Sequence, residues 1–189
     1  MPLDTLDADA PGSLLVDRFA TPIGRMYAVT DDAGRLRAFA WADSEARGIV
    51  QLRQQYGARV IIADGNAPVA MRREIDAYFA GDLGAIDRID CATHGTPFQQ
   101  QVWNALRTIP ARTTLSYGAL AARVGNASAV RAVGLANGAN PIAVIVPCHR
   151  VIGADGSLTG YGGGLDRKRW LLAHENVKGL MGNAPTSLF

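Results

Sequence analysis

A cysteine and a histidine lie side by side in the segment NPIAVIVPCHRVIG, residues 140 to 153. The chain has only two cysteines, Cys91 and Cys148. Two are too few for a disulfide framework and are typical of a protein from a reducing compartment. A cysteine with an ordinary pKa of about 8.5 is only a few per cent thiolate near neutral pH. Nucleophilic use of Cys148 therefore requires a base and nearby positive charge, for which His149 and Arg150 are the candidates.

Neighbouring residues on a helix or strand point in different directions, so contact between Cys148 and His149 requires a sharp turn or a bridging water. The apolar run before this pair predicts a strand that ends at Pro147. A histidine base also needs an orienting carboxylate, which Glu175 in the segment LLAHE can supply. Cys91, by contrast, is predicted to be a small buried hydrophobe or an inert thiol in a linker.

Helix signals precede the cysteine segment. The stretch TPFQQQVWNALRTIP predicts a helix that Thr96 caps and Pro110 stops. The next stretch, LSYGALAARVGNASAVRAVGLANGANP, predicts two short helices capped by Ser116 and Ser128 and joined by a Gly-Asn turn. This pattern is typical of a helix-turn-helix, whose second helix usually meets DNA, although an ordinary helical hairpin in the core would give the same pattern.

The first half of the chain predicts a different architecture. Three apolar runs between residues 14 and 41, separated by TPIG and DDAG, predict a three-stranded antiparallel meander. A helix over 44–56, a strand over 58–63, a helix over 69–80 and a linker over 81–95 are expected to follow. The fold class is therefore α/β (α+β). The expected domains are a disordered tail (1–12), an N-terminal α/β domain (13–90), a mainly helical C-terminal domain (91–176) and a second tail (177–189).

Charge divides the chain at about the same place. Residues 1–99 carry 10 arginines against 14 acidic residues, a net charge of −4, whereas residues 100–189 have a net charge of +6. A basic second half is consistent with a polyanionic partner such as nucleic acid. Hydrophobic residues make up 48% of the chain, but no apolar run is long enough to span a membrane. The acidic N-terminus does not resemble a secretory signal. We therefore expect a cytoplasmic protein that does not enter a membrane.

Several motifs occur together and in order: TPFQQQVW, SYGALA, RAVGLANGANP, PCHRVIG and TGYGGGLDRKRWLLAHE. Over residues 95–176 this combination resembles the O6-alkylguanine-DNA alkyltransferases, also called methylated-DNA–protein-cysteine methyltransferases. The resemblance implies DNA repair by a single irreversible transfer of an alkyl group from O6-alkylguanine, with O4-alkylthymine a further possible substrate. The damaged nucleotide would be flipped out of duplex DNA, and no cofactor would be needed.

The resemblance also implies roles for individual residues. Cys148 would accept the alkyl group, His149 would remove its proton through a water, and Glu175 would orient the imidazole. The other residues implied in catalysis are Asn140, which braces the network, and Tyr117 and Lys168, which act near the flipped base. The residues implied in substrate binding are Arg131, which fills the gap in the base stack, with Tyr117, Val151, Tyr161, Gly162 and Gly163. Those implied in DNA binding are Ser116, Asn126, Ala129, Arg131, Ala132 and Gly134.

Two departures from the family pattern affect these expectations. Some members bind a structural zinc, but this N-terminal half offers only Cys91 and His94, so no metal is expected. Some members have a hydroxyl residue where this chain has Gly162, which suggests a pocket open to adducts larger than methyl. The protein is expected to be a monomer. Three other functions remain to be weighed: a cysteine hydrolase using Cys148, His149 and Glu175, a non-catalytic sensor of alkylated DNA, and a helix-turn-helix regulator.

Overall fold

The computed structural model describes residues 11–57, 59–177 and 188. Its strands are β1 (Ser13–Thr21), β2 (Gly24–Asp31), β3 (Leu36–Trp41), β4 (Ile61–Asp64), β5 (Leu115–Ser116) and β6 (Val151–Ile152). Its α-helices are α1 (Glu45–Tyr56), α2 (Val69–Phe79), α3 (Pro97–Arg107), α4 (Tyr117–Arg123), α5 (Val130–Gly138) and α6 (Leu165–His174). Short 3-10 helices cover Ala42–Ser44, Ala85–Arg88 and Cys148–Arg150. The predicted α+β class is confirmed.

The N-terminal sheet is mixed and has four strands in the order β3-β2-β1-β4. The antiparallel meander of β1, β2 and β3 is as expected. The strand expected over 58–63 is observed as β4, and it enlarges the expected three-stranded antiparallel sheet by joining its edge in parallel with β1. Strands that run in the same direction need a crossover connection, and α1 supplies it between β3 and β4. Sequence periodicity could not show this pairing, because it is decided by where α1 packs.

The segment expected to be a linker is packed into the protein. Ala85 and Ile86 in its 3-10 helix are fully buried, and Ile89 is buried beside them. Cys91 forms an isolated parallel bridge with Leu36 of β3. The main hydrophobic core is shared by residues from both halves of the chain, including Phe39, Ile86 and residues up to Leu171. The two halves of the chain therefore share one core. The domain boundary expected at residue 90 stays a prediction.

Capping residues place the C-terminal helices. Thr96 and Gln99 form a reciprocal capping box at the start of α3, and Ser116 accepts a hydrogen bond from the Ala119 amide at the start of α4. Helix α3 ends at Arg107, earlier than the stop expected at Pro110. The predicted Ser128 cap is wrong: α5 begins after Ala129, and the Ser128 hydroxyl instead donates to the Asn126 side chain.

The apolar run before Cys148 does not form the predicted strand. It makes an isolated bridge between Ile142 and Phe39 at the edge of β3 and then turns. Val144 has a φ of 69°, which is a rare and strained conformation for a β-branched residue. The Asn140 side chain bonds to the Ile142 amide and to the Ile142 and Val146 carbonyls, and these bonds stabilise the turn. Local side-chain bonds therefore compete successfully with strand formation here.

The expected tails lie mostly outside the described residues. At the N-terminal end, Gly12 is described, and its carbonyl accepts a hydrogen bond from Ile61 at the start of β4. At the C-terminal end, Val177 is buried, and the Leu188 amide donates to the Pro22 carbonyl. Among the described residues, none of the helices combines the length and apolar character required to cross a lipid bilayer.

Candidate active site

A single 3-10 turn carries the cysteine and the histidine of the candidate site. Cys148, His149 and Arg150 form this turn and are exposed by only 6%, 0% and 2%. It provides the sharp bend that a Cys-His pair requires. Strand β6 follows directly, and its pairing with β5 ties the turn to the start of α4.

Glu175, just after α6, lies behind the turn and joins its two basic side chains. His149 Nε2 lies 2.9 Å from Glu175 Oε1, and Arg150 donates to both carboxylate oxygens at 2.8 and 2.9 Å. Arg150 also donates to the Ile109 carbonyl at 2.6 Å. Because a carboxylate accepts from Nε2, that nitrogen is assigned the proton and Nδ1 the lone pair. Nδ1 makes no hydrogen bond to any described residue, so it is the basic nitrogen of the site.

Burial and charge set the protonation states of this network. Burial lowers the pKa of His149 from its usual value despite the opposing effect of Glu175, so the imidazole is neutral at neutral pH. Burial alone would raise the pKa of Glu175, but His149 and Arg150 hold it well below its usual range. A neutral imidazole beside a charged carboxylate can accept a proton and remain stabilised once it is charged.

The cysteine itself is not a preformed thiolate. Burial raises the pKa of Cys148, and the opposing influences are a hydrogen bond from Asn140 and the positive charge of Lys168. The expectation that Arg150 supplies this charge is not supported, because its guanidinium is committed to Glu175 and Ile109. The thiol therefore needs a base to become a nucleophile, and His149 is next to it in the chain.

Lys168 in α6 is fully buried and connects two segments around the site. Its Nζ donates to the carbonyls of Val151 at 2.6 Å and Thr159 at 2.8 Å. Burial lowers the pKa of Lys168 to about 8, with the Cys148 charge acting in the opposite direction. These bonds hold strand β6 against the glycine-rich loop, residues 159–164. Lys168 therefore has a structural role as well as an electrostatic one.

The glycine-rich loop forms one wall of a cleft that contains Cys148. A Cβ at Gly163 would lie 2.4 Å from the Trp41 ring, whereas one at Gly162 would meet nothing within 4 Å. Trp41 also packs edge-on against Tyr161 at 5.5 Å. The Arg167 guanidinium stacks over the Trp41 ring, 4.9 Å from the ring centre, and donates a hydrogen bond to the Gly163 carbonyl. Gly163 is therefore required by packing, and Gly162 leaves open space.

The cleft has a volume of about 770 Å³ and runs from Cys148 between the two halves of the chain. Tyr117, the first residue of α4, lines it and lies against Gly134 of α5, where a Cβ would approach the ring to 3.9 Å. Its wall on the side of α1 includes Arg47 and Gln51. This size is ordinary for a small-molecule or nucleobase site.

Helix α5 presents an exposed face next to this cleft. Arg131 and Ala132 are exposed, and Leu135 is 72% exposed. Among the described residues Arg131 has no hydrogen-bond or ion-pair partner. Of the other residues implied in DNA binding, Asn126 is exposed in the turn, and Ser116, Ala129 and Gly134 are half-buried around it. These six residues lie in or next to α4 and α5, and Gly134 lines the cleft.

Sequence reasoning missed three residues of the site, Tyr78, Trp41 and Asn137, and assigned Arg150 a different role. Tyr78 in α2 donates to Glu175 Oε1 at 2.8 Å, and Trp41 supports the glycine-rich loop. Arg150 is the counter-ion of Glu175, and Asn137 lines the cleft with a buried Oδ1 that bonds to none of the described residues. Arg150 lies in the motif PCHRVIG and Asn137 in the motif RAVGLANGANP. The others are ordinary helix and strand residues whose sequence context carries no signal.

The fold and site define a protein that combines a helix-turn-helix surface with a buried cysteine, histidine and glutamate. Residues 97–177 match the family model described as 6-O-methylguanine DNA methyltransferase, DNA binding domain. The methylated-DNA–protein-cysteine methyltransferase of Salmonella typhimurium is 47% identical over 164 residues, covering 86% of this chain and 95% of that protein. The protein of the same name from Mycobacterium tuberculosis strain H37Rv is 61% identical over 105 residues, covering 56% of this chain and 63% of that one.

Solved structures agree with this relationship. The crystal structure of Mycobacterium tuberculosis OGT in complex with DNA is 39% identical in sequence and superposes with a TM-score of 0.68, covering 87% of this chain and 92% of that one. The chain therefore belongs to the family of methylated-DNA–protein-cysteine methyltransferases.

Proposed function

We propose that this protein repairs DNA by one irreversible transfer of an alkyl group from O6 of guanine to Cys148. Its substrate would be duplex DNA that contains O6-alkylguanine. The observation that carries the proposal is a buried thiol, Cys148, that lines a cleft beside α5 and precedes the hydrogen-bonded His149–Glu175 pair. Family membership supports the same reaction.

In this proposal α5 is the DNA-contacting helix. Its exposed face carries Arg131 and small or apolar residues such as Ala132 and Leu135, with few groups that could read base edges. Such a face favours phosphate and shape contacts over sequence readout, so binding would fall with salt and show weak sequence preference. Arg131, which is exposed and has no partner among the described residues, would enter the base stack when the damaged nucleotide leaves it.

The chemistry then follows from the protonation states. His149 Nδ1 takes the Cys148 proton through a bridging water, and Glu175 stabilises the imidazolium. The sulfur attacks the alkyl carbon, a carbon–sulfur bond forms, and the bond from carbon to O6 breaks with its electron pair moving to the base. A proton delivered to the base restores guanine, and the protein keeps a thioether.

The surrounding residues would serve binding and the leaving group. Tyr117, which lines the cleft, would donate to the flipped base. Tyr161, Gly162 and Gly163 would form the wall against which the base stacks, and the Val151 segment is held in place by Lys168. Asn140 would brace the turn and bond to the cysteine sulfur, which favours the thiolate.

A cysteine hydrolase and a lesion sensor are less well supported. A hydrolase with the same three side chains would release product and turn over many times, whereas an S-alkylated cysteine cannot be regenerated by simple hydrolysis. A sensor would bind the lesion and leave it unchanged. A regulator would prefer one undamaged sequence. We further propose that the protein acts as a monomer in the cytoplasm, with the division near residue 90 separating its two structural halves.

The test is mass spectrometry of the protein after mixing with an oligonucleotide that contains one O6-methylguanine. One added methyl on the Cys148 peptide, and none in the variant Cys148→Ser, is the expected result. Binding without modification would contradict alkyl transfer and support the sensor. Repeated turnover on esters or amides would support the hydrolase.

A further inference from the structure

Tyr78 connects the N-terminal half of the chain to the candidate active site. It lies in the last turn of α2, is fully buried, and donates from its hydroxyl to Glu175 Oε1 at 2.8 Å. The same oxygen is the partner of His149 Nε2 at 2.9 Å and of Arg150 Nη2 at 2.8 Å. Glu175 Oε1 is therefore shared by three donors, one of which comes from the other half of the protein.

The hydroxyl is not needed to neutralise Glu175. Arg150 already provides a full positive charge through two hydrogen bonds to the carboxylate. A phenylalanine would fill the same space without the cost of burying a hydroxyl. Burial and the neighbouring Glu175 charge raise the pKa of Tyr78 well above its usual value, so the hydroxyl keeps its proton and always donates. Its specific effect is to compete with the imidazole for Oε1.

Packing holds the Tyr78 hydroxyl in this position. Its ring lies edge-on to His174 at 5.2 Å, and His174 stacks on Trp170 at 4.8 Å. The His174 ring also donates from Nε2 to the Tyr78 carbonyl at 2.8 Å. The end of α2 is thus fixed against α6, the helix that Glu175 follows, so the two partners of the bond cannot easily drift apart.

We propose that Tyr78 is a positioning residue for alkyl transfer, which orients Glu175 and limits how strongly its carboxylate attracts the proton of His149. The inference rests on the proposed function, because alkyl transfer is one of its readouts. It gives the N-terminal half a direct part in the reaction, beyond supporting the fold.

The direction of the effect follows from the hydrogen bonds. Without the Tyr78 hydroxyl, Oε1 becomes a stronger acceptor and the His149–Glu175 bond strengthens. The imidazole then becomes more basic and stays protonated to higher pH. The charged groups that act on His149 are Arg150 on its own turn and Lys168 and Glu175 on and after α6. The neighbouring titratable groups are Cys148, Tyr161, which the Cys148 and Glu175 charges affect, and His174, which packs on Tyr78. All of them are unchanged in Tyr78→Phe.

The first measurement is nuclear magnetic resonance of the His149 imidazole in Tyr78→Phe. We expect its Nε2 proton resonance to move downfield and the His149 pKa to rise by about half a unit or more. The control is Tyr56→Phe, which removes another hydroxyl from the N-terminal half, one that accepts a hydrogen bond from Arg37. An unchanged His149 resonance in Tyr78→Phe would overturn the inference. This readout does not require activity, so it stands even if no methyl transfer is found.

The second measurement is the pH dependence of the single-turnover rate. The acid limb of the Tyr78→Phe profile should move to higher pH by about half a unit, so the variant is about threefold slower on that limb. Its rate on the plateau should be close to that of the wild type. A rate reduced by one common factor at every pH, together with a lower melting temperature, would show that Tyr78 is only structural.

Discussion

The two cysteines of this protein lie in contrasting surroundings. Cys148 is buried and Cys91 is half-buried, and burial raises the pKa of both thiols, to about 11 for Cys91. Cys91 donates weakly to the Ile89 carbonyl at 3.5 Å, and the nearby Arg107 also bonds to that carbonyl at 3.2 Å. Cys148 lines a cleft, receives a hydrogen bond from Asn140, feels the charge of Lys168 and precedes a histidine with a free basic nitrogen.

The difference shows that burial alone does not make a cysteine reactive. A buried thiol without a base stays protonated and inert. At Cys148 the same desolvation is useful, because a thiolate formed there by proton transfer to His149 is poorly solvated and surrounded by fixed polar groups. The polar groups around Cys148 come from the turn at Asn140, the 3-10 helix and α6, so the site depends on several segments at once.

The largest expected effect separates the two thiols directly. Cys148→Ala should reduce transfer from an O6-methylguanine oligonucleotide by at least about a thousandfold, because the acceptor is lost. Cys91→Ala should react within about twofold of the wild type, since a small, half-buried side chain outside the Cys148 cleft is replaced by a smaller one. Single-turnover kinetics with a labelled methyl group measures both. A slow Cys91→Ala variant that is fully folded would contradict the comparison.

The next effect comes from removing the carboxylate behind Cys148. Glu175→Gln should slow transfer by about a hundredfold, because the imidazolium loses its counter-charge. It should also lower the free energy of unfolding by about 3–5 kcal/mol, because Arg150 is left buried without a full partner. The control Glu74→Gln affects an ion pair with Arg88, which is 51% exposed, and should cost less than about 1 kcal/mol. Urea unfolding distinguishes them, and equal stabilities would refute the buried-pair argument.

A smaller effect tests the wall of the Cys148 cleft. Gly163→Ala places a Cβ against Trp41 and should cost about 1–3 kcal/mol through overpacking, with slower transfer. Gly162→Ala meets open space and should change stability by less than about 0.5 kcal/mol. Thermal unfolding and transfer rates of the pair give the comparison. Equal rates for methyl- and benzylguanine in the wild type and in Gly162→Ser would argue that Gly162 does not set adduct size.

The smallest effect concerns Lys168, whose positive charge acts on Cys148. The pKa of Lys168 is lowered from 10.5 to about 8 in the folded protein. Between pH 8 and pH 10.5, Lys168 is protonated in the unfolded chain but largely neutral in the folded protein. Its contribution to the free energy of unfolding therefore rises with pH over this range. Relative to Lys168→Met, the wild type should gain about 1 kcal/mol or more over this range. Denaturant unfolding at several pH values measures the gain, and a constant difference would show that the Lys168 pKa is not shifted.

Local signals explain what could be predicted from the sequence. The caps at Thr96 and Ser116 and the antiparallel meander were predicted because each depends on residues close together in the chain. The reactive trio of Cys148, His149 and Glu175 was also predicted, because two of its members are adjacent and the third ends a helix pattern. The hydrogen bond between His149 and Glu175 agrees with that expectation.

The failures share a physical cause. The run before Cys148 has the composition of a strand, but the Asn140 side chain and the edge of β3 satisfy its backbone groups in a turn. The pairing of β4 with β1 was not predicted, because it depends on where α1 packs. The Ser128 cap failed because the hydroxyl found a closer partner in Asn126.

By itself, the sequence determined the starts of α3 and α4, the meander, and the candidate nucleophile with its candidate base, because hydrogen-bond caps and period-two or helical spacing act over a few residues. Tertiary structure alone decided that Trp41 supports the glycine-rich loop, that Arg150 serves Glu175 and not the thiol, and that Tyr78 reaches Glu175 from 97 residues away. Contacts of this kind form only when a shared core brings distant segments together, and no spacing rule within one segment encodes them.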